Sequence, residues 1–188
     1  KKGKTVWDNY SISNTYNSDE EKKKRELVKD FVSKNKFNVL ADIGCNDGVY
    51  SKLSLESGCR YVVGFDYDLN CIENAYIKAK NENLNFLPLY FDATNPSVNL
   101  GWNEAERKGF KTRAKFDAVI ALAFEHHLAI AKNIPLDQAV KWLIDLAPRG
   151  LIEFIPKNDK TIKKMLTLKG DIFNDYNENN FKNLILNH

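Results

Sequence analysis

The chain has 188 residues, 43% of them hydrophobic and 12% aromatic, with 28 Lys and Arg against 25 Asp and Glu for a formal net charge of +3. That length suits one domain with a real core and is short for two of ordinary size. No apolar run reaches the ~20 residues of a membrane span, no signal-peptide pattern opens the chain, and so small a charge neither demands nucleic acid nor excludes it. Cys45, Cys59 and Cys71 sit at no metal-ligand spacing and form no even set, so a reducing cytoplasm is the expected setting and no metal site is expected.

The start, Lys1-Lys-Gly-Lys4, lacks an initiating methionine and reads as a fragment boundary. Residues 1–37 read as an N-terminal arm and a capping helix, and 38–188 as the main domain. Trp7 and Tyr10 punctuate the polar arm; packing on the core is the first reading for them, and a place over a cofactor pocket the second. Ser18-Asp-Glu-Glu21 has the form of a capping box, so a helix begins near residue 19. Leu27, Val28, Phe31 and Val32 are its expected apolar stripe. The basic run Lys22-Lys-Lys-Arg25 is flanked by acids and reads as a solvated face.

Next comes Asn38-Val-Leu-Ala-Asp-Ile-Gly-Cys-Asn-Asp-Gly-Val-Tyr50. A short apolar run, a glycine-punctuated turn and an amphipathic start give strand, tight loop and helix, the unit that presents a nucleotide pocket in a parallel sheet. Gly44 and Gly48 let the backbone turn sharply and lie close to a ligand. A dinucleotide loop needs G-x-G-x-x-G. Here Asp42 leads and only two glycines follow, and Asp42 and Asp47 would repel a diphosphate. A cationic or zwitterionic ligand suits this loop better. With D/E-x-G-x-G-x-G as the family's first motif, the chain resembles the class I S-adenosylmethionine (SAM)-dependent methyltransferases. Asn46 replaces the middle glycine, and Asn tolerates the left-handed geometry such a turn requires. The resemblance implies that Asp42, Gly44, Cys45, Asn46 and Gly48 hold the methionine portion of SAM.

Arg60-Tyr-Val-Val-Gly-Phe-Asp-Tyr-Asp68 reads as the second strand. It ends in Asp66, eighteen positions beyond Gly48, where a carboxylate can accept from two ribose hydroxyls. Asp66 can alternatively cap the helix that follows, a task open equally to Asp68 or Asn70. Tyr67 is placed to lie against the adenine. Leu84-Asn-Phe-Leu-Pro-Leu-Tyr-Phe-Asp92 is the third strand, with Pro88 arguing for an edge. By the family resemblance, Asp92 and the Ala93 amide meet the adenine; a turn built by Asp92, Asn95 and Pro96 is compatible with that. Residues 95–113 are the least periodic and are expected to carry a short helix and substrate contacts.

Phe116-Asp-Ala-Val-Ile-Ala-Leu-Ala-Phe124 is nearly continuous apolar sequence, the mark of a strand buried on both faces. Glu125, His126 and His127 follow at once. The resemblance puts the fourth motif here, with Ala121 beside the cofactor and the three polar residues orienting or deprotonating the acceptor. An imidazole with an ordinary pKa of about 6.5 suits that work, and His127 is the first choice for the pocket. A helix with Pro135 early and Trp142 in its stripe, a fifth strand Leu151–Ile155 carrying Glu153, and a helix from Lys157-Asn-Asp159 complete the pattern. Glu153 faces the pocket or pairs with Lys157 or Arg149.

The order implies an α/β fold, a doubly wound and mostly parallel sheet with right-handed crossovers. Ala41-Asp-Ile-Gly-Cys-Asn-Asp-Gly48, Leu122-Ala-Phe-Glu-His-His-Leu-Ala-Ile130 and Leu146-Ala-Pro-Arg-Gly-Leu-Ile-Glu-Phe-Ile-Pro156 look like the nodulation-protein, NoeA-type methyltransferases. The family's closing strand pair has no counterpart after residue 170, so the chain is either cut short or a five- or six-stranded variant. The implied activity is methyl transfer from SAM, with S-adenosylhomocysteine (SAH) as product, to a small-molecule or sugar-like acceptor. A SAM-binding scaffold without catalysis is the alternative, and an NAD-type enzyme a third.

Overall fold

The structure, a computed structural model, describes residues 18–187; Trp7 and Tyr10 of the arm lie outside them. The chain divides into two compact units, the first through Asp92 and the second from Ala93. The sheet has five strands, β1 (Val39–Ile43), β2 (Tyr61–Asp66), β3 (Phe86–Tyr90), β4 (Ala118–Ala121) and β5 (Gly150–Ile152), in the order β3-β2-β1-β4-β5, and the pairs β1–β2, β2–β3 and β4–β5 are all parallel.

The first unit runs α1 (Ser18–Asn35), β1 (Val39–Ile43), α2 (Val49–Glu56), β2 (Tyr61–Asp66), α3 (Leu69–Asn81) and β3 (Phe86–Tyr90). β1 is buried over Leu40 to Ile43, as a strand covered on both faces must be. Pro88 does lie in an edge strand, where its missing N–H breaks no ladder. Asp68 caps α3 by accepting from the Asn70 and Cys71 amides, so Asp66 is spared that task.

α1 corrects two expectations. Its buried line is Lys24, Val28 and Val32, whereas Leu27 is 60% exposed. Positions 24, 28 and 32 are spaced at i, i+4, i+8 and share one helix face, and Leu27 turns away from it. Lys24, read as part of a solvated face, is buried, with its ammonium 5.3 Å from the centre of the Tyr50 ring. A long aliphatic stem can be buried while its charge rests on an aromatic face.

The second unit has a 3-10 turn (Trp102–Glu104), α4 (Phe110–Arg113), β4 (Ala118–Ala121), a π turn (His127–Ala131), α5 (Leu136–Ile144), β5 (Gly150–Ile152), α6 (Lys160–Lys169) and α7 (Glu178–Leu186). β4 is buried throughout. Its core gathers Ile130, Leu136, Val140, Ile155, Ile162 and Tyr176. Trp142 is half-buried and stacks on Phe110. Asp159 caps α6, and Lys157 pairs with Asp171. Among the described residues no sixth or seventh strand follows; α7 occupies that part of the chain. No described helix is long and apolar enough to cross a membrane.

Gly64 in β2 has no room for a side chain. A Cβ there would lie 2.7 Å from both Cys45 Sγ and Phe86 Cε2. Gly64→Ala is expected to destabilise the protein by about 1–3 kcal/mol, read as a lowered urea midpoint with an unchanged slope.

Candidate functional site

The first unit brings a set of acidic and aromatic side chains to the carboxyl ends of its parallel strands. Gly44, Asn46 and Gly48 all take left-handed backbone, with φ of 80°, 50° and 81°. Asn46 therefore does what the family's middle glycine does, and its side-chain oxygen accepts the Asp47 amide at 2.8 Å. The loop is tied down from β2: the Gly44 and Cys45 amides both donate to Phe65 O, at 2.8 and 3.1 Å.

Asp66 joins two loops. Its Oδ2 accepts from the Asn46 amide at 2.9 Å and its Oδ1 from the Asp68 amide at 2.8 Å. A carboxylate has about four acceptor positions, so backbone amides, the Tyr67 amide among them, do not use up its capacity. Burial raises the Asp66 carboxyl above its ordinary range, against the pull of those amides. Asp42 is buried at the end of β1 and accepts from Ser51 Oγ at 2.6 Å. Burial pushes its carboxyl from 3.8 up to about 7; the Ser51 bond opposes this and the charge of Asp66 adds to it. Two partly desolvated carboxylates at one end of the sheet favour a positive ligand over a phosphate.

Tyr67 and Tyr90 stand at the same end, 61% and 50% exposed, with ring centroids 5.6 Å apart. Tyr90 is the register partner of Asp66, and its hydroxyl is raised by burial, by Tyr67 and by the nearby Asp92. Asp92 is half-buried. Tyr90 and Ser51 were not singled out by the sequence; Tyr90 ends β3, two positions before Asp92.

In the second unit, Ala121 ends β4 and Ala93 opens the unit. Glu125 is fully buried. The Ile155 amide donates to its Oε1 at 3.1 Å, and the Tyr176 hydroxyl lies 2.6 Å from Oε1 and 2.7 Å from Ile155 O, with one proton for two acceptors. That hydroxyl is pushed above its ordinary value by burial and by Glu125. His126 is buried and His127 half-buried, with ring centroids 4.2 Å apart. Burial lowers His127 from 6.5 to about 3, the charge of His126 adding to the effect, so His127 is neutral across the physiological range. At the end of the π turn the Lys169 ammonium donates to Ile130 O, Ala131 O and Asn133 Oδ1, at 3.0, 2.7 and 2.9 Å. In the loop before α4, Trp102 is 84% exposed.

This fold is shared with solved structures that include a methyltransferase. WbdD, described as a bifunctional kinase-methyltransferase, is similar with a TM-score of 0.55 and 20% identity, over 80% of this chain and 32% of that one. PH0226 from Pyrococcus horikoshii OT3 is similar with a TM-score of 0.52 and 25% identity, over 80% of this chain and 65% of that one. The architecture is therefore the Rossmann-like sheet found in methyltransferases. More particularly, the chain is 47% identical over 177 residues to the nodulation protein NoeA of Rhizobium meliloti (strain 1021), covering 94% of this chain and 37% of that protein. It is a homologue of that part of NoeA and spans little more than a third of its length. No protein-family model matches the chain.

Asp42 supplies a pH test. Folded Asp42 keeps its proton up to about pH 7, and the unfolded carboxyl releases it near 4. Its contribution to stability is therefore full below about pH 4 and is lost as pH rises through about 7. The ligand-free protein is expected to lose about 2–4 kcal/mol of unfolding free energy over that window. Asp42→Asn, compared by urea titration at both ends, should remove that part of the loss.

Proposed function

We propose that this chain is the SAM-binding part of a methyltransferase that acts on a small-molecule or sugar-like acceptor. The observation that carries the reading is the pair of acidic side chains, Asp42 and Asp66, at the ends of adjacent parallel strands, both raised by burial, with the charge of Asp66 adding to the rise at Asp42. Such a pair is costly without a cation, and SAM carries a sulfonium and an ammonium. In this reading Asp42, Gly44, Cys45, Asn46 and Gly48 hold the methionine portion. Asp66 accepts from the ribose hydroxyls with the acceptor capacity that its backbone amides leave. Tyr67, Asp92, the Ala93 amide and Ala121 hold the adenine and its surroundings. SAM supplies an activated methyl group, and the chain's own work is to orient the reactants and take a proton from the acceptor.

His126 and His127 are assigned to the acceptor. Glu125 is assigned to positioning, because Tyr176 and the Ile155 amide already engage its Oε1 inside the core. Cys45, Cys59 and Cys71 are buried thiols in no disulfide, which supports a reducing, cytoplasmic setting.

Calorimetry with SAH tests the reading. The wild-type protein is expected to bind, and Asp66→Ala to bind about 10- to 100-fold more weakly, as loss of hydrogen bonds to a charged group implies. Asp68→Ala keeps the amide that serves Asp66; it should cost about 1 kcal/mol of stability through the lost cap and leave SAH affinity unchanged. NAD should not displace SAH. A folded wild-type sample that gives no heat with SAH would defeat the proposal.

A further inference from the structure

Three irregularities meet in the residues after β4. Ala123 has a left-handed backbone, φ 50°, which a side chain with a Cβ rarely adopts. Residues His127–Ala131 wind as a π turn. Glu125 Oε2 and His126 Nδ1 are both sealed from solvent and, among the described residues, have no hydrogen-bond partner, yet they lie 3.6 Å apart. Buried polar atoms nearly always find partners, and strained backbone and π turns collect at functional sites. Here two exceptions face each other, an acceptor and an atom able to carry a proton. Catalytic hydrogen bonds are often long without the reactants and tighten when these bind.

We propose that Glu125 and His126 form a carboxylate–imidazole dyad that makes His126 Nε2 the general base for a hydroxyl acceptor; this rests on the methyltransferase reading above. Glu125 Oε1 is held by Tyr176 and the Ile155 amide, which leaves Oε2 for His126. A proton on Nδ1, directed at Oε2, leaves the lone pair on Nε2. The acceptor's O–H proton passes to Nε2 as its oxygen bonds the sulfonium methyl carbon. The electron pair of the breaking S–C bond returns to sulfur and gives SAH. The imidazolium so formed stands beside the Glu125 carboxylate and later releases its proton to water. His127, held neutral by burial, adds no second positive charge.

The need for a base identifies the acceptor class. A hydroxyl oxygen is a weak nucleophile until its proton leaves, whereas a neutral amine already offers its lone pair and a thiol is readily ionised. Glu125 and Tyr176 are positioning residues in this scheme, and His126 is the catalytic residue.

Long-range 1H–15N NMR of the 15N-labelled protein with SAH reads the dyad without any acceptor. His126 is expected to be protonated on Nδ1, with its proton shifted far downfield and that shift lost in Glu125→Gln. Protonation on Nε2 in the wild-type protein overturns the dyad, whether or not the variant folds. The acceptor class is read with methyl-labelled SAM and three probes: a mixture of methyl glycosides, N-acetylcysteine and N-acetyllysine. Label is expected on the glycosides, with a rate about 100-fold or more lower in Glu125→Gln and SAH affinity unchanged. Label on the thiol or amine alone, or none on the glycosides from a protein that binds SAH, overturns the hydroxyl class. Failure to bind SAH at all overturns the underlying reading as well, and the NMR result separates that failure from a failure of the dyad.

Discussion

The first unit depends on one carboxylate. Asp66 receives an amide from the glycine loop on one oxygen and an amide from the turn before α3 on the other. Hydrogen bonds to an ionised acceptor are stronger than neutral ones, and these two span a separation of twenty residues on one side and two on the other. The left-handed run at Gly44, Asn46 and Gly48 is thereby pinned to the strand beside it. Burial works against the charge that makes those bonds, and the amides offset part of that cost. Asp68 matters because it takes the capping task, which leaves Asp66 for the loops.

The second unit is organised around a different buried acid. Glu125 is the residue through which the segment after β4 is fixed, with Tyr176 approaching from fifty-one residues further along the chain. Lys169 holds the other end of the same segment by serving the last two carbonyls of the π turn. A π turn widens the helix and leaves carbonyls poorly paired, and an ammonium with three donors answers that need. The segment bearing both histidines is thus clamped at entry and exit by residues that belong to α6 and the stretch after it. Lys169 at the end of α6 and Tyr176 in the stretch after it together steady the histidine segment.

Most of the architecture was legible because its signals are local. β1, β2 and β4 are runs of branched and aliphatic residues, β3 carries its edge marker in Pro88, and the capping acids precede their helices directly. The left-handed state of Asn46 followed from its place between two glycines. What was not legible depends on distance. Lys24 reads as one of four basic residues, and nothing nearby announces that a helix turn carries it onto Tyr50. Leu27 looked like core because it adjoins Val28, but adjacent helix positions are about 100° apart. Ser51 meets Asp42 only because α2 folds back along β1, and the link between Tyr176 and Glu125 crosses half of the second unit. The adjacent pair His126–His127 was visible as a pair; which ring has a buried carboxylate beside it was not.

Phe86 has a consequence beyond its own burial. Its ring is the neighbour that a Cβ would strike both at Gly48, in the loop after β1, and at Gly64, inside the sheet. One aromatic plate therefore supports two bare backbones at once, so these three positions cannot drift independently in evolution. A side chain at Gly64 would need a slimmer residue at 86 and a shift of Cys45 besides, one at Gly48 would also strain its positive φ, and a slimmer residue at 86 would remove the floor beneath both. Relatives that keep this loop shape should thus carry the bulky and the two minimal residues as a set, or replace all three together.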